Sequence, residues 1–194
     1  MQNKANVILP KRFAEELFKI SLNDLNRQWL VYHTQEQSGL FYDYTVLVNI
    51  KMIDVSPEQV KEVHYTETAD IKDGWQYVLD SKGNVMKDSL GNDLKADKIV
   101  TVACNIIETQ QRKSARIAGS MDYINNQTGQ LIKTDPITAD AVFENFSAIA
   151  VGDQRALKKE TKAKIGKPPV PFPPVPDMLL QAGITLKDMV KNIL

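Results

Sequence analysis

The side chains that could do metal or thiol chemistry are few, and they lie far apart in the chain. The only histidines are His33 and His64, and the only cysteine is Cys104. A zinc site needs three or four nitrogen, sulfur or carboxylate ligands, which residues so scattered do not suggest. Cys104 alternates with apolar residues of one strand, which predicts a buried thiol, whereas a nucleophilic cysteine needs exposure and nearby positive charge. We therefore predict no metal site and no cofactor.

Acidic residues offer the next candidate chemistry. Carboxylates at Glu58, Glu62, Glu67, Asp70 and Asp73 could include the acid and base of a glycoside hydrolase, which must face one substrate. Nothing in the sequence indicates that two of them converge, and solvated strand and loop charges are the simpler interpretation. Nucleophile elbows and glycine-rich phosphate loops are also missing from the sequence. The chain is therefore predicted not to be an enzyme, with an enzyme that uses these carboxylates as the less favoured alternative.

One short internal repeat is present. The sequence Asp-Ser-Lys-Gly-Asn at 80–84 returns as Asp-Ser-Leu-Gly-Asn at 88–92. Glycine adopts positive φ freely, and Asp, Ser and Asn side chains bond to nearby backbone, so each copy is typical of a turn. The alternating acidic ligands and distal glutamate of a calcium-binding EF-hand are missing from this order. The repeat thus predicts two adjacent turns, the first at a hairpin tip.

Three groups of residues are candidates for interaction. Trp75 and Tyr77 alternate along a strand, for which core positions are the favoured interpretation; the alternative is an exposed aromatic pair that binds a glycan or peptide. A basic segment that includes Arg155, Lys158, Lys159 and Lys162 could contact an acidic partner, although a solvated helix face is the favoured interpretation. It lacks the interleaved aromatic residues that stack nucleic-acid bases.

The third group is a proline-rich segment at 168–176, which contains Pro171, Phe172 and Pro173. Two overlapping Pro-x-x-Pro motifs could present a polyproline helix to an aromatic groove. No basic residue lies at the customary offset from either motif. The favoured interpretation is a stiff strap that packs apolar side chains onto the domain.

Composition limits the classes of protein to which the chain can belong. It has 194 residues, 43% hydrophobic and 25% charged, with 24 basic and 24 acidic residues and no net charge. Nucleic-acid binding depends on clustered positive charge, for which a balanced chain gives no case. A lone cysteine excludes an intramolecular disulfide, and no apolar run approaches the ~20 residues of a membrane-spanning helix. The amino terminus lacks the apolar stretch of a signal peptide.

Periodicity predicts a single α+β domain over residues 1–194. Helical spacing predicts an amphipathic helix at 10–37, with a stripe at Phe18, Leu22, Leu25 and Trp29. Alternation at 42–150 predicts a largely antiparallel sheet, including a strand at 44–54 whose even-numbered residues form the buried face. Residues 153–194 are predicted to form two helices joined by the proline strap. The first of these would lie between an Asp153 cap and Gly166.

Several motifs resemble an uncharacterised family of exported bacterial cell-envelope, lipoprotein-like proteins. They are the segments at 54–58, 73–80, 87–93, 148–157 and 169–173. The resemblance runs from about Pro10 to the end and corresponds to the carboxyl-terminal domain of longer members, so it implies a preceding segment that is not in this chain. It also implies location in the periplasm or cell envelope. No activity is assigned to that family, so no catalytic residue can be transferred from it.

Together these observations predict a non-catalytic cell-envelope module that binds a partner protein or forms part of an assembly. Its interaction edge would be one of the long strands, whose unpaired backbone groups can accept another strand. The alternative is a domain that binds a small ligand such as a glycan or a peptide.

Overall fold

The computed structural model describes residues 1–19 and 30–194 and shows a mixed α/β fold with a five-stranded sheet and three helices. The predicted α+β class is therefore confirmed at this level. In chain order the elements are β1 (Gln2–Asn3), α1 (Lys11–Phe18), β2 (Tyr44–Val55), β3 (Gln59–Tyr77), β4 (Lys95–Asn125), β5 (Leu131–Gly152), a 3₁₀ turn (Gln154–Ala156), α2 (Lys159–Lys162) and α3 (Val175–Ile193).

The sheet is partly parallel. Its strand order is β1-β2-β4-β3, and β5 also pairs with β4. Strand β2 runs antiparallel to β4, from Tyr44 opposite Asn125 to Val55 opposite Ala115. The short β1 pairs in parallel with β2, with Gln2 opposite Asn49. The prediction of a largely antiparallel sheet did not anticipate this parallel edge, because β1 has only two residues and no hydrophobic alternation to reveal it.

The predicted amino-terminal helix at 10–37 is wrong in its extent. Helix α1 covers only Lys11–Phe18, and residues 30–37 are not helical. Aromatic and β-branched residues such as Val31, Tyr32 and Thr34 have low helix propensity, which is consistent with a non-helical segment. Of the predicted stripe, only the backbone of Phe18 lies within the described residues, and Leu22, Leu25 and Trp29 lie outside them.

Strand β2 has the predicted inward face only from Val46 to Ile50, because Tyr44 at its start is exposed. A register shift between Ile50 and Met52 inserts an extra residue opposite β4, so the inward side chains change from even to odd numbers. Met52 is therefore exposed, whereas Ile53 and Val55 pack against the core. The strand therefore packs apolar side chains against the core on both sides of the bulge.

The helix predicted between Asp153 and Gly166 is also wrong, because the segment is broken into two single turns. The Asp153 carboxylate does cap the 3₁₀ turn, accepting the Arg155 backbone N–H. Leu157 and Lys158 then adopt extended backbone before α2 begins. The extended stretch follows from burial of Ala156 and Leu157. The predicted last helix is present as α3, but it begins at Val175, inside the predicted proline strap, and its face of Leu179, Ala182, Leu186 and Val190 is buried.

The chain divides into two compact units. The first unit comprises Met1–Gln59, Arg112–Glu144 and Pro171–Leu194. Its core is a cluster in which α1 and α3 contribute large side chains, such as Phe13 and Leu186, and the strands contribute Ile50, Ile117 and Met121. Gly119 lies so close to β2 that an added Cβ would be 2.0 Å from the Asn49 carbonyl oxygen. That position therefore accepts only glycine.

The second unit comprises Val60–Gln111 and Asn145–Val170. Its core is a smaller cluster that contains Val102, Cys104, Ile106, Ala148, Ala156 and Leu157. The first four lie on β4 and β5, and the last two belong to the broken segment after β5. The predicted burial of Cys104 is confirmed, because its side chain is almost fully enclosed in this cluster.

Candidate interaction surface

The aromatic pair of β3 lies in solvent and not in the core. Trp75 is 51% exposed and Tyr77 is 44% exposed. Their ring centroids are 5.0 Å apart with an interplanar angle of 77°, an edge-to-face arrangement. The ammonium of Lys95 lies 3.9 Å from the Trp75 ring centroid, within cation–π range. The favoured interpretation from the sequence, that both rings are core residues, is therefore wrong, because both lie at the surface.

The two predicted turns directly follow this pair, and they have the same geometry. In the first, the Asp80 carboxylate accepts the backbone N–H groups of Lys82 and Asn84, each at 2.8 Å. In the second, Asp88 accepts the N–H groups of Leu90 and Asn92 at 2.8 and 2.9 Å. Backbone hydrogen bonds, chiefly from Asn84 and Asn92, lower the pKa of these carboxyls. The turn prediction is confirmed, and the carboxylates are engaged within the turns.

A closed set of backbone hydrogen bonds fixes the bases of both turns. Val78 accepts from the Met86 N–H, Met86 accepts from Leu94, and Leu94 accepts from Val78, with distances of 2.8, 2.8 and 2.9 Å. We refer to residues 75–95 as the tip segment. Large apolar side chains remain exposed along it, including Leu79, Met86 and the 86%-exposed Leu90. The tip segment thus combines a fixed backbone with exposed aromatic and aliphatic side chains.

The basic segment is only partly free to contact a partner. Arg155 forms a fork with Asp153, its closest contact being 2.6 Å from Nη2 to Oδ2, and also lies 3.7 Å from Asp73. These bonds from Arg155 lower the pKa of Asp153 to about 2. Lys158, Lys159 and Lys162 are exposed. The idea that they contact an acidic partner stays a prediction.

A buried carboxylate that the sequence did not single out as structural anchors this segment. Glu67 on β3 accepts a hydrogen bond from the Lys158 backbone N–H and another from the Thr161 hydroxyl, each at 2.7 Å. Burial opposes its ionisation, but these hydrogen bonds outweigh burial, and the pKa of Glu67 is lowered. The carboxylate therefore accepts hydrogen bonds from backbone and side-chain donors that the broken segment, which is not a continuous helix, does not satisfy within itself.

Glu108 on β4 is a second anchor. It accepts hydrogen bonds from Lys164 Nζ at 2.7 Å, from the Gln110 amide at 2.8 Å and from the Tyr65 hydroxyl at 3.2 Å. The bond from Lys164 lowers the pKa of Glu108, against the effect of burial. Lys164 is thus committed to an internal ion pair. Neither anchor could be recognised from the sequence, since the groups of the broken segment that they bind lie 56 to 94 residues away along the chain.

The proline segment is held as a strap. In the second unit, Gln111 accepts the Val170 backbone N–H and donates to its carbonyl. In the first unit, the buried Lys113 donates to the Pro173 carbonyl at 2.9 Å. The Phe172 ring packs edge-on against Phe143 at 5.6 Å.

Of the strap residues singled out from the sequence, Phe172 and Pro173 are half-buried and Pro171 is exposed. The contacts of this segment agree with the strap interpretation. A Pro-x-x-Pro ligand must instead be exposed so that the aromatic groove of a partner can bind it. The hydrogen bonds and the ring contact of this segment disfavour that exposure.

The remaining chemical candidates do not converge within residues 1–19 and 30–194. Glu58 pairs with Lys113, Glu62 lies 3.9 Å from His64, and Asp70 accepts from the Thr101 hydroxyl. In the same range, no group of three or more His, Cys, Asp or Glu side chains is placed to hold a metal ion. The described helices include none long and apolar enough to cross a membrane.

Comparison of the chain with protein-family models, with curated proteins and with solved structures gives no match.

Proposed function

We propose that this protein is a non-catalytic interaction module of the bacterial cell envelope, and that it binds a partner protein through the tip segment. The observation that supports this best is the exposure of Trp75 and Tyr77 on a backbone fixed by two turns. Tryptophan, tyrosine and methionine are enriched at protein interfaces, and rigid anchors lose little conformational entropy on binding. The envelope location is supported only by the family resemblance of the sequence.

A glycan or peptide ligand is the second candidate, because exposed aromatic rings also bind such molecules. Sugar rings stack on an open aromatic face, but Lys95 occupies one face of Trp75, and the Tyr77 ring is turned by 77°. An irregular surface of this kind favours a protein partner over a flat sugar. A thermal-shift screen with glycans and peptides tests this alternative directly.

The test is affinity capture from the native host, after cell fractionation, followed by reconstitution with the purified partner. We expect the protein in the envelope fraction and one stoichiometric partner. Trp75→Ala should weaken the reconstituted complex about thirtyfold, the effect of a hot-spot residue worth about 2 kcal/mol. The matched control is Phe41→Ala, which removes an exposed aromatic ring from the first unit and should leave affinity unchanged. Equal binding by Trp75→Ala and the wild type would contradict the proposed surface.

A further inference from the structure

The sheet of the first unit carries an open groove of about 400 Å³ on its outer face. Clefts that bind small ligands usually measure about 300–1,000 Å³. Strand β4 contributes Arg112, Ser114 and Arg116, alternate residues that share one face of the strand. The residues between them, Lys113 and Ala115, are buried. The groove therefore lies on the face of the sheet that points away from the core.

The neighbouring strands provide the other lining residues of the groove. Asp54 of β2 lies opposite Arg116, and Asp140 and Val142 of β5 complete the lining. Asp54 points to this face only because of the bulge in β2, since even-numbered residues before the bulge point to the core. Bulges often re-aim a side chain beside a functional site. This bulge places a carboxylate beside an arginine on the outer face.

Two of the charged groups in the groove are already paired, and two remain available to a ligand. Arg116 donates two hydrogen bonds to Asp140, from Nε at 2.6 Å and from Nη2 at 3.0 Å. The Nε atom of Arg112 lies 3.5 Å from Glu144, which is longer than a charge-assisted hydrogen bond of about 2.7–2.9 Å. Among the described residues, the Nη groups of Arg112 donate no hydrogen bond and the Asp54 carboxylate forms no ion pair.

The two available groups have opposite charges, which limits the charge of a ligand. An anion would pair with Arg112 but would be repelled by Asp54 and Asp140, whereas a cation would be repelled by the arginines. Two arginines and two aspartates line the groove, so the lining has no net charge. A molecule with separate ammonium and carboxylate groups satisfies both available partners and leaves no charge unmatched.

The spacing of these groups indicates the length of the ligand. Arg112 and Arg116 are four residues apart on β4, so their Cα atoms are separated by about 13 Å, and Asp54 lies opposite the second. The long arginine side chain shortens the distance between the charges. Two or three extended amino acids span about 7–11 Å. Between the ends, the Ser114 hydroxyl faces the peptide groups, and Val142, which is 54% exposed, offers an apolar contact.

From the paired charges, the spacing and the volume, we infer that this groove binds a short peptide of two or three residues with free termini. The peptide carboxylate pairs with the Arg112 guanidinium, and the peptide ammonium pairs with the Asp54 carboxylate. The site is built from the first unit alone and does not rest on a protein partner at the tip segment. Trp75→Ala should therefore leave peptide binding unchanged.

The test is a titration of the full chain with trialanine, N-acetyl-trialanine and trialanine amide, read by backbone amide NMR. We expect saturable trialanine-induced shifts at residues 52–55, 112–116 and 140–143. The acetylated peptide lacks the ammonium and the amide lacks the carboxylate, so each should bind about fivefold weaker, the upper range for an exposed charge pair. Shifts that do not saturate, shifts confined to other residues, or equal binding of all three peptides would overturn the inference.

Two surface substitutions then assign the ends of the peptide. Arg112→Gln should weaken trialanine about fivefold and remove its advantage over the amide, and Asp54→Asn should remove its advantage over the acetylated peptide. Arg12→Gln and Asp43→Asn make the same changes at exposed positions of the first unit outside the groove and should leave affinity unchanged. Unaltered selectivity among the three peptides in folded Arg112→Gln and Asp54→Asn proteins would overturn the site.

Discussion

The cores of the two units are covered in different ways. In the first unit, regular helices lie on the strands and contribute large apolar side chains such as Phe13, Leu179 and Leu186. In the second unit, the cover is the broken segment 153–166, which contributes the smaller Ala156 and Leu157 to the cluster and packs a partly buried Ile165 against it. Buried polar groups accompany this second cover, among them Glu67, Glu108 and Thr161.

The difference has a physical reason in backbone hydrogen bonding. A helix satisfies most of its own N–H and C=O groups, so it can bury an apolar face without help from other elements. A segment that leaves helical geometry at Leu157 and Lys158 cannot do so, and Glu67 accepts the Lys158 N–H in its place. The irregular cover is therefore held by ionised groups, and the helical cover is held by apolar packing.

The largest effect should come from removing apolar volume under the helical cover. Leu186→Ala deletes a fully buried side chain of α3 and should lower the free energy of unfolding by about 2–5 kcal/mol. Urea denaturation followed by circular dichroism measures this change. Leu90→Ala, the same substitution at the exposed second turn, should stay within about 0.5 kcal/mol. Similar losses in both variants would mean that α3 does not cover a packed core.

A smaller effect should follow from removing an anchor of the irregular cover. Glu67→Ala leaves the Lys158 N–H and the Thr161 hydroxyl without their acceptor, which should cost about 1–3 kcal/mol. Cys104 reports on this unit, since its thiol is buried in the cluster that contains Ala156 and Leu157. We expect faster modification of Cys104 by a thiol reagent in Glu67→Ala than in the wild type.

Glu62→Ala is the matched control, because Glu62 lies on the same strand with its carboxylate in solvent. It should leave the modification rate of Cys104 unchanged. An equal rate in Glu67→Ala and Glu62→Ala would show that the carboxylate does not hold the cover.

Features encoded by neighbouring residues could be predicted from the sequence. The repeated turns follow from Asp, Gly and Asn within five residues, and the α3 stripe follows from helical spacing. The burial of Cys104 follows from strand alternation. In each case the determining contacts are local or depend only on the period of the pattern.

Features set by distant contacts were predicted wrongly or missed. The segment 153–166 has good helix formers, but burial of Leu157 against strands far away in sequence breaks it. The bulge after Ile50 depends on pairing with β4, about seventy residues on, and no turn residue marks it. Core positions were favoured for Trp75 and Tyr77, wrongly, because alternation describes a strand without showing which face is covered.

The smallest expected effect is a pH dependence that distinguishes the irregular cover of the second unit from the helical cover of the first. The pKa values of Glu67 and Glu108 are lowered below the ordinary 4.5 in the folded protein. Each carboxylate therefore stabilises the fold fully above its unfolded pKa, and this stabilisation is lost as the pH falls through the folded pKa. Cys104 in the second unit should become more reactive as the pH falls below the ordinary carboxyl pKa of 4.5 and through the lowered folded values. The reagent 4,4′-dithiodipyridine, which reacts with thiols in acid, measures this rate.

A variant that removes one titrating group tests whether the ionised anchors account for the difference between the two covers. Glu67→Gln should react faster than the wild type at neutral pH, because an amide is a weaker acceptor than a carboxylate. Its rate should rise less on acidification, since Glu67 no longer contributes a titrating group whereas Glu108 still does. If wild type and Glu67→Gln show the same pH dependence, acid opens the second unit through other groups. The ionised anchors would then not be what distinguishes the irregular cover from the helical one.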